Sequence, residues 1–458
     1  MSDYRVIADR IADDIARGRL VPGQRLPPQR RFARVHRIAP STAGRVYGEL
    51  VRRGLVVGEV GRGTFVRAAP AAPEGRALVE PATAAPVNLE LNYPCAPGQS
   101  ELLAPGLAPL LRADVLTGAL GTAAADGTPA ARAAAARLLT VPGWRPEPAR
   151  FLFTGNARQA IAAALASLVR PGGRVGVEEL TYPLVKEIAG RLGIVLVPVG
   201  GDGEGPRPDA LRAAHRAAPL SALYVQPALH NPTSLTWSEA RRHELARTAV
   251  DLALPLVEDR IWSFLRPDAT PLAAHAPALT HVVDGLSKRV APGLTAGFLV
   301  VPPHRVDAVA AAVRSGGWSA GRFALEAAVR WAGDGTVDRL VAAKRADAAR
   351  RQRILAAHLG AFAVRTDPHA YFAWWELPPP WRADTFTAAA AAHGIAVTPG
   401  TAFTVDPHRT PDAVRLGLAS ATEGELAWAL RRLAWLAREP EPEPPGGGGP
   451  GGPPVRIA

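Results

Sequence analysis

Residues 281–300 read HVVDGLSKRVAPGLTAGFLV, with the lysine Lys288 between two apolar runs. The run that ends at Asp284 and the run FLV at 298–300 are typical of buried β-strands. The Pro-Gly pair that follows the lysine predicts a turn. We therefore expect a strand, a turn that carries Lys288, and a second strand.

The chain contains three lysines, so any Schiff-base chemistry must use one of them. Lys186 and Lys344 lie in helical patterns beside Arg or Glu residues, and we expect both side chains to be solvated. Lys288 follows a predicted strand instead, at the edge where parallel sheets expose side chains to ligands. Lys288 is therefore the candidate for covalent chemistry.

Apolar runs alternate with helical patterns on the N-terminal side of this stretch. The predicted strands are 151–153, 175–177, 194–199, 223–225 and 256–258, and the predicted helices are 157–169, 183–192, 208–217 and 238–252. Such alternation is typical of an α/β fold, a mainly parallel sheet with helices on both faces. On the C-terminal side, a long helical pattern (about 322–357) and a strand-like segment (370–377) predict a smaller α+β subdomain.

The composition of the chain limits the classes of protein to which it can belong. The chain has 458 residues, too many for one ordinary core, and 48% of them are hydrophobic. Its single cysteine, Cys95, excludes an internal disulfide and a cysteine-based zinc cluster. The first residues have no apolar signal segment, and no run of about 18 apolar residues occurs. We expect a cytoplasmic protein that does not associate with a membrane.

Residues 1–67, the head, have the pattern of a winged helix-turn-helix. The predicted helices are 4–17, 29–35 and 41–53, and the predicted wing strands are 55–57 and 63–66. The head contains 14 Arg against 6 Asp and Glu, so it carries +8 of the net +12. This local excess of positive charge predicts double-stranded DNA as a partner.

Two stretches of the head carry a family resemblance. RGRLVPGQRLPPQRRFA at 17–33, followed by GRGTFV at 61–66, resembles the GntR-type winged helix family. This resemblance implies DNA contacts by Arg30, Ser41, Thr42, Arg45, Arg62 and Gly63. Ala39-Pro40 stands where the family has Ser-Arg, so one expected DNA-contacting Arg is missing. A head that serves only protein contacts is the alternative.

Two segments lack the pattern of a folded element. Residues 68–86 are rich in Ala and Pro, which predicts a semi-extended linker. Residues 439–458 are mostly Glu, Pro and Gly, which predicts a disordered tail. The remaining residues, 87–438, form the body.

Four polar features of the body follow predicted strands. They are the small-residue turn at 154–157, which opens a helix as phosphate-binding turns do, the His230-Asn231 pair, the Glu258-Asp259 pair and Lys288. Together they resemble the fold-type I pyridoxal-phosphate enzymes, the aminotransferase group, over about residues 88–437. With its head, the whole chain resembles the MocR-type regulators.

The resemblance to aminotransferases implies a role for each matching residue. Lys288 matches the Schiff-base lysine, and Asp259 matches the acid that pairs with the pyridine nitrogen. Asn231 matches the amide near the ring hydroxyl, and Tyr182 matches the aromatic residue that stacks on the ring. Arg415 matches the arginine that binds a substrate carboxylate. The phosphate turn corresponds to Gly155, Asn156 and Ala157.

Four positions depart from the family pattern. Thr295 replaces a phosphate-binding Arg, Gly285 replaces a Ser, and Thr122 aligns with a Tyr that the partner subunit supplies. Trp262 replaces a Tyr and cannot offer a phenol to the ring oxygen. We hypothesise that Arg158 or Arg289 supplies the phosphate charge that is missing.

The sequence thus favours a homodimeric transcription regulator. Its head binds DNA, and its body binds pyridoxal phosphate on Lys288 and senses the cofactor or an amino compound. A working aminotransferase that carries a DNA-binding head is one alternative. A body that has lost the cofactor and serves for dimerisation or ligand sensing is another.

Overall fold

The computed structural model describes residues 4–17, 19–20, 23–59, 63–66 and 85–439. Most of the predicted linker (68–86), nearly all of the predicted tail (439–458) and the predicted DNA contact Arg62 lie outside the described residues.

The head folds as three helices and a two-stranded wing: α1 (Tyr4–Ala16), α2 (Gln29–Val35), α3 (Pro40–Arg52), β1 (Val56–Glu59) and β2 (Gly63–Val66). The wing strands pair antiparallel, with Val56 opposite Val66. Apolar residues spaced for one helix face, such as Ile7 and Ile11, pack on Phe32 in a small separate core. The predicted winged helix-turn-helix is confirmed.

The body begins with β3 (Val87–Asn88), α4 (Gln99–Leu107), α5 (Ala113–Ala119), α6 (Pro129–Leu139), β4 (Phe151–Thr154), α7 (Ala157–Leu168), β5 (Arg174–Glu178), α8 (Pro183–Arg191) and β6 (Val195–Val199). It continues with β7 (Gly201–Asp202), β8 (Gly205–Pro206), α9 (Pro208–Ala217), β9 (Ala222–Val225), α10 (Glu239–Asp251), β10 (Leu256–Asp259), α11 (Leu272–His275), β11 (Thr280–Gly285), α12 (Leu286–Arg289) and β12 (Gly297–Val300).

The main sheet has seven strands in the order β4-β12-β11-β10-β9-β5-β6 within the described residues. Strand β12 pairs antiparallel with β4 and β11, and the other pairs are parallel. The connection from β11 to β12 is only residues 286–296, which is too short for the usual crossover of a parallel pair. The predicted α/β fold is confirmed, with Lys288 inside this short connection.

The small subdomain comprises α13 (Val306–Ser315), α14 (Arg322–Gly333), α15 (Thr336–Leu359), β13 (Val364–Arg365), β14 (Phe372–Glu376), α16 (Ala383–Ala392), β15 (Ile395–Ala396), β16 (Thr398–Pro399), β17 (Ala413–Gly417) and α17 (Glu423–Leu436). Its sheet has the order β13-β14-β17-β16 and is antiparallel.

The predicted single helical stretch at 322–357 is two helices. Asp334 and Gly335 separate α14 from α15, and Gly335 has φ 77. This left-handed conformation ends a helix and is readily adopted only by glycine. The periodicity of apolar residues continues across the break, which explains the error in the prediction.

Candidate functional site

A cavity lies where the carboxyl ends of β5, β9 and β10 face the small subdomain, the usual ligand position in an α/β fold. We call it the central cavity. Eight residues predicted from the sequence line it: Asn156, Ala157, Arg158, Tyr182, Asn231, Asp259, Lys288 and Arg415. Two of the departures from the family pattern, Trp262 and Thr295, line it as well. Gly155, Arg289, Gly285 and Thr122 do not.

Lys288 lies in the short helix α12, directly after β11. Its Nζ donates to the carbonyl of Asn92 at 2.7 Å and lies 4.1 Å from the ring centroid of Tyr93 and 5.1 Å from that of Trp262. Burial lowers the pKa of Lys288 well below its ordinary value, and the positive charge of Arg415 adds to the effect. The amine is therefore held towards its neutral, nucleophilic form.

The expectation that Lys186 and Lys344 are solvated is wrong. Lys344 is 0% exposed, and its Nζ donates to the carbonyls of Lys288 at 2.9 Å and Val290 at 2.6 Å. Lys186 is half-buried and donates to the carbonyl of Ala402 at 3.1 Å. Helical periodicity does not show which face of a helix meets another element, so the sequence did not reveal these contacts.

Asp259 ends β10 and turns its carboxylate into the central cavity. Its Oδ2 accepts hydrogen bonds from Tyr224 at 2.8 Å and Gln226 at 2.9 Å, and its Oδ1 accepts one from the Ile261 N–H at 3.0 Å. Burial raises the pKa of Asp259, and these three donors oppose that rise by stabilising the charged form.

The neighbouring carboxylate of Glu258 has a different partner. It is fully buried and pairs with Arg260 at 3.1 Å. Successive side chains of a strand point to opposite faces, so only one member of the Glu258-Asp259 pair reaches the central cavity.

The turn before α7 brings backbone N–H groups to the cavity. Asn156 caps the helix by accepting the Gln159 N–H at 3.1 Å, and the other N–H groups of the first turn have no partner within the helix. Gly297 on β12 allows this close approach, because a Cβ there would lie 2.4 Å from the Asn156 carbonyl oxygen. The Gly155 N–H is used elsewhere, by the Trp318 carbonyl at 3.1 Å.

Of the two arginines proposed for the phosphate, the structure brings one to the central cavity. Arg158 lines it, and no hydrogen bond or ion pair joins its guanidinium to another residue that the structure describes. Arg289 is buried outside the cavity, where it pairs with Asp284 at 2.5 Å and packs 5.4 Å from the ring centroid of Phe264. Its positive charge is thus already compensated by a buried carboxylate.

The structure places three of the residues that depart from the family pattern. A Cβ on Gly285 would lie 2.8 Å from the Ala296 carbonyl oxygen, so the Ser of the family pattern does not fit without movement. Thr295 lines the cavity with a short hydroxyl in place of the expected guanidinium. Thr122 is exposed in the single chain.

Asn231 lies in a loop bracketed by Leu229 (φ 50) and Ser234 (φ 60), both left-handed residues that are not glycine. Such backbone costs about 1–3 kcal/mol per residue and is typical of functional sites. His230 supports the loop through Thr233 Oγ1 at 2.8 Å and the Leu180 carbonyl at 3.0 Å. The Oδ1 atom of Asn231 is buried without a hydrogen-bond partner in the described structure.

Arg415, on β17 of the small subdomain, also lines the central cavity. Its Nη2 donates to the Glu90 carbonyl and to Thr398 Oγ1, the latter at 3.1 Å. Burial lowers the pKa of Arg415 to about 10, so the guanidinium stays charged near neutral pH. The cavity also contains Glu90, Tyr93 and Gln226, which sequence reasoning missed because no nearby motif marks them.

The predicted DNA-contacting residues of the head lie on α2, α3 and the wing. Arg30, Ser41 and Arg45 are exposed, whereas Thr42 is half-buried. Ser41 and Arg45 are four residues apart on α3 and share one helix face. Gly63 has φ 124 and begins β2, where a Cβ would lie 2.6 Å from Arg25 Nε.

Residues 111–433 match the family described as aminotransferase class I and II. The chain belongs to this family. Residues 3–66 match bacterial regulatory proteins of the gntR family, so a GntR-type head precedes an aminotransferase-like body. The predicted resemblance to the MocR-type architecture is confirmed by this combination.

Relatives of the family include regulators and enzymes. An uncharacterized HTH-type transcriptional regulator of Bacillus subtilis (strain 168), YdeF, is 27% identical over 435 residues, 94% of each chain. The HTH-type pyridoxine biosynthesis transcriptional regulator PdxR of Corynebacterium glutamicum is 30% identical over 171 residues, 37% of this chain and 36% of PdxR. The structure of Pyrococcus horikoshii kynurenine aminotransferase matches with a TM-score of 0.71 at 21% identity, covering 78% of this chain and 91% of the enzyme. This last likeness shows the fold.

None of the helices that the structure describes has the length and apolar character needed to cross a membrane.

Proposed function

We propose that this protein is a DNA-binding transcription regulator whose body binds pyridoxal phosphate through Lys288 and senses the cofactor or an amino compound. The observation that carries the proposal is the convergence of Lys288, Asp259 and Arg415 on one cavity, in a chain that begins with a GntR-type head. The names of the relatives YdeF and PdxR, both transcriptional regulators, support the same conclusion.

The residues of the central cavity fit pyridoxal phosphate. Arg158 and the first N–H groups of α7 suit the phosphate, and Asn231 has an unpartnered amide oxygen beside the place for the ring. Asp259 suits a protonated ring nitrogen, and Tyr182 offers an aromatic face. The positive charge missing at Thr295 is then supplied by Arg158.

Lys288 has the properties of a nucleophile for a carbonyl group, since its amine is buried and its pKa is lowered. When bound, pyridoxal phosphate supplies the aldehyde and an electron-withdrawing ring. Asp259 holds the proton on the ring nitrogen, and Tyr224 and Gln226 fix its carboxylate. Arg415 binds the carboxylate of an incoming amino compound.

The head supplies DNA recognition in this proposal. Its α3 enters the major groove with Ser41 and Arg45 towards the bases, and Arg30 contacts phosphate. A helix-turn-helix dimer reads paired half-sites, so we propose that the body forms a homodimer. In support, Leu111 (69%), Leu120 (85%) and Phe323 (38%) are large apolar side chains exposed in the single chain.

Absorbance titration of the purified protein with pyridoxal phosphate tests the cofactor part of the proposal. We expect a visible band from bound cofactor in the wild type, and its loss in Lys288→Ala. Lys186→Ala is the matched control and should keep the band, because Lys186 contacts Ala402 and lies outside the central cavity. The absence of a band in the wild type would refute cofactor binding and favour the cofactor-free alternative.

Electrophoretic mobility shifts with the DNA upstream of the protein's own gene test the regulatory part. We expect specific binding whose affinity changes when pyridoxal phosphate is added, because a ligand acts on DNA binding only if it prefers one conformation of the protein. Binding that is nonspecific, or equal with and without the cofactor, would contradict the proposal.

A working aminotransferase is the second candidate function. The presence of Lys288, Asp259 and Arg415 in one cavity favours it, whereas the Trp262 indole cannot replace a phenol near the ring oxygen. Steady transamination of amino acids at enzyme-like rates, without specific DNA binding, would establish this alternative.

A further inference from the structure

A carboxylate without an assigned role lies in the central cavity. Glu90 follows β3, lines the cavity together with Lys288 and Arg415, and is 8% exposed. Its Oε2 atom is buried and has no hydrogen-bond partner in the described structure. The proposed function assigns no group of the cofactor to this side chain.

The charges that face the cavity show what Glu90 is available to bind. Arg158 suits the phosphate, Asp259 suits the ring nitrogen, and Lys288 is the point of attachment. Arg415 and Glu90 remain, one guanidinium and one carboxyl group, for the part of an effector that extends beyond the cofactor. An effector that matches both carries a carboxylate and a second, positively charged group.

Arg415 does not satisfy the Glu90 side chain. Its Nη2 donates to the main-chain carbonyl of Glu90, and no salt bridge joins the Arg415 guanidinium to the Glu90 carboxylate in the described structure. Burial raises the pKa of Glu90 to about 7, while the charge of Arg415 and, to a smaller degree, the neighbouring Asn88 amide oppose the rise. A buried polar group left unpaired costs about 1–3 kcal/mol, which an ammonium group placed there would offset.

We propose that Glu90 determines effector specificity by binding a second amino group, so that the effector is an amino acid with a basic side chain. Arg415 binds the carboxylate, the α-amino group approaches the position of Lys288, and Glu90 binds the side-chain ammonium. This inference rests on the proposed function, since it requires the cofactor in the central cavity.

The test compares amino acids of equal size with and without the second charge. The pairs are ornithine with norleucine and lysine with 2-aminoheptanoate, and each is titrated into the cofactor-loaded protein. The readout is the dissociation constant from the change in the visible band, followed by the effect of each compound on DNA affinity. We expect the wild type to bind at least one diamino acid about tenfold or more tightly than its neutral partner, the effect of one charge-assisted hydrogen bond.

Substitutions assign that preference to Glu90. Glu90→Gln keeps the size and should bring each pair to within about twofold, while Glu90→Asp should retain part of the preference. Glu179→Gln is the matched control, because Glu179 pairs with Arg409 outside the central cavity and should leave the preference unchanged. An unchanged cofactor band in each variant shows that the cavity is intact.

The outcomes separate the inference from the proposed function. If the wild type shows no cofactor band, the proposed function fails, and this inference fails with it. If the band responds to amino acids without preference for diamino acids, or if Glu90→Gln keeps the preference, only the inference is overturned. A third outcome is that the wild type shows no preference for diamino acids and Glu90→Gln binds neutral amino acids more tightly than the wild type does. This outcome would overturn the inference and would assign Glu90 as a counterion of Arg415.

Discussion

Lys344 shapes the turn that presents Lys288. Its buried amine donates to the carbonyls of Lys288 and Val290, and burial lowers the pKa of Lys344 to about 8. The hydroxyl of Tyr371 shares its one hydrogen between the Lys344 carbonyl at 2.7 Å and Asp347 Oδ2 at 2.9 Å. Hydrogen bonds from this buried polar network on α15 thus hold the turn that carries Lys288.

We expect Lys344→Met to destabilise the cofactor-free protein by about 1–3 kcal/mol at pH 7.5, because two buried carbonyls lose their donor. The folded pKa, about 8, lies below the ordinary 10.5, so the unfolded wild type binds more protons between these pH values. Its stability therefore rises with pH across this window, and Lys344→Met lacks this rise. Urea denaturation at pH 7.5 and 9.5 measures the free energy of unfolding of both proteins. The amount by which the wild type exceeds Lys344→Met should be about 1–2 kcal/mol larger at pH 9.5 than at pH 7.5.

Lys186→Met serves as the control for this measurement. Lys186 is half-buried on α8 and donates to the carbonyl of Ala402 at 3.1 Å. A stability difference for Lys344→Met that stays constant between the two pH values would contradict the assigned protonation of Lys344.

At the scale of elements, the residues of the candidate site lie at one edge of the sheet, and three of the predicted DNA contacts, Ser41, Thr42 and Arg45, lie in the first two turns of α3. The carboxyl ends of parallel strands meet at one edge, so residues distant in sequence come together without a local motif. In the head, α3 begins at Pro40, and the residue before it, Ala39, provides no side-chain cap. Proline suits the first position of a helix, so Ser41 and Arg45 lie near the start of α3.

Arg45→Ala should weaken specific DNA binding at least about tenfold, because Arg45 is exposed on α3 beside Ser41. If Arg45 contacts phosphate as well, the slope of the logarithm of affinity against the logarithm of salt concentration should decrease by about one. Fluorescence anisotropy across a salt series measures both quantities.

Arg191→Ala removes the same charge from the exposed end of α8 in the body and is the matched control. Its DNA affinity should equal that of the wild type. Equal losses in both variants would mean that net charge, and not the surface of α3, determines binding.

Across the whole molecule, the wing of the head contacts the small subdomain. The Arg382 guanidinium lies 3.8 Å from the ring centroid of Phe65 on β2, and β1 contacts residues 407–409. Arg409 pairs with Glu179, three residues before Tyr182 of the central cavity. The Arg409–Glu179 ion pair thus links the segment that the wing contacts to a residue close in the chain to the cavity wall.

Phe65→Leu should loosen the contact between head and body, because the cation–π interaction with Arg382 contributes about 0.5–2 kcal/mol. We expect faster amide hydrogen exchange at the start of α16, residues 383–387, with the cofactor affinity unchanged. Phe323→Leu makes the same change on α14, at a site exposed in the single chain, and should leave this exchange at the wild-type rate. Unchanged protection in Phe65→Leu would show that the contact does not hold the head in place.

The sequence by itself determined the winged head, the α/β body and the position of Lys288 after a buried strand. Each depends on local periodicity, on turn residues and on the sequence in which predicted strands and helices follow one another along the chain. Neighbouring residues in the chain specify these features. The break at Gly335 was missed because one glycine does not interrupt the apolar pattern.

Only the tertiary structure decided which charged groups face the central cavity. Arg158 lines it while Arg289 is paired with Asp284, and Glu90 enters it without any motif to mark it. Similar charged residues in the sequence acquire different roles because the direction of a side chain depends on the elements packed around it. Burial, which raises or lowers each pKa, likewise arises only when distant segments meet.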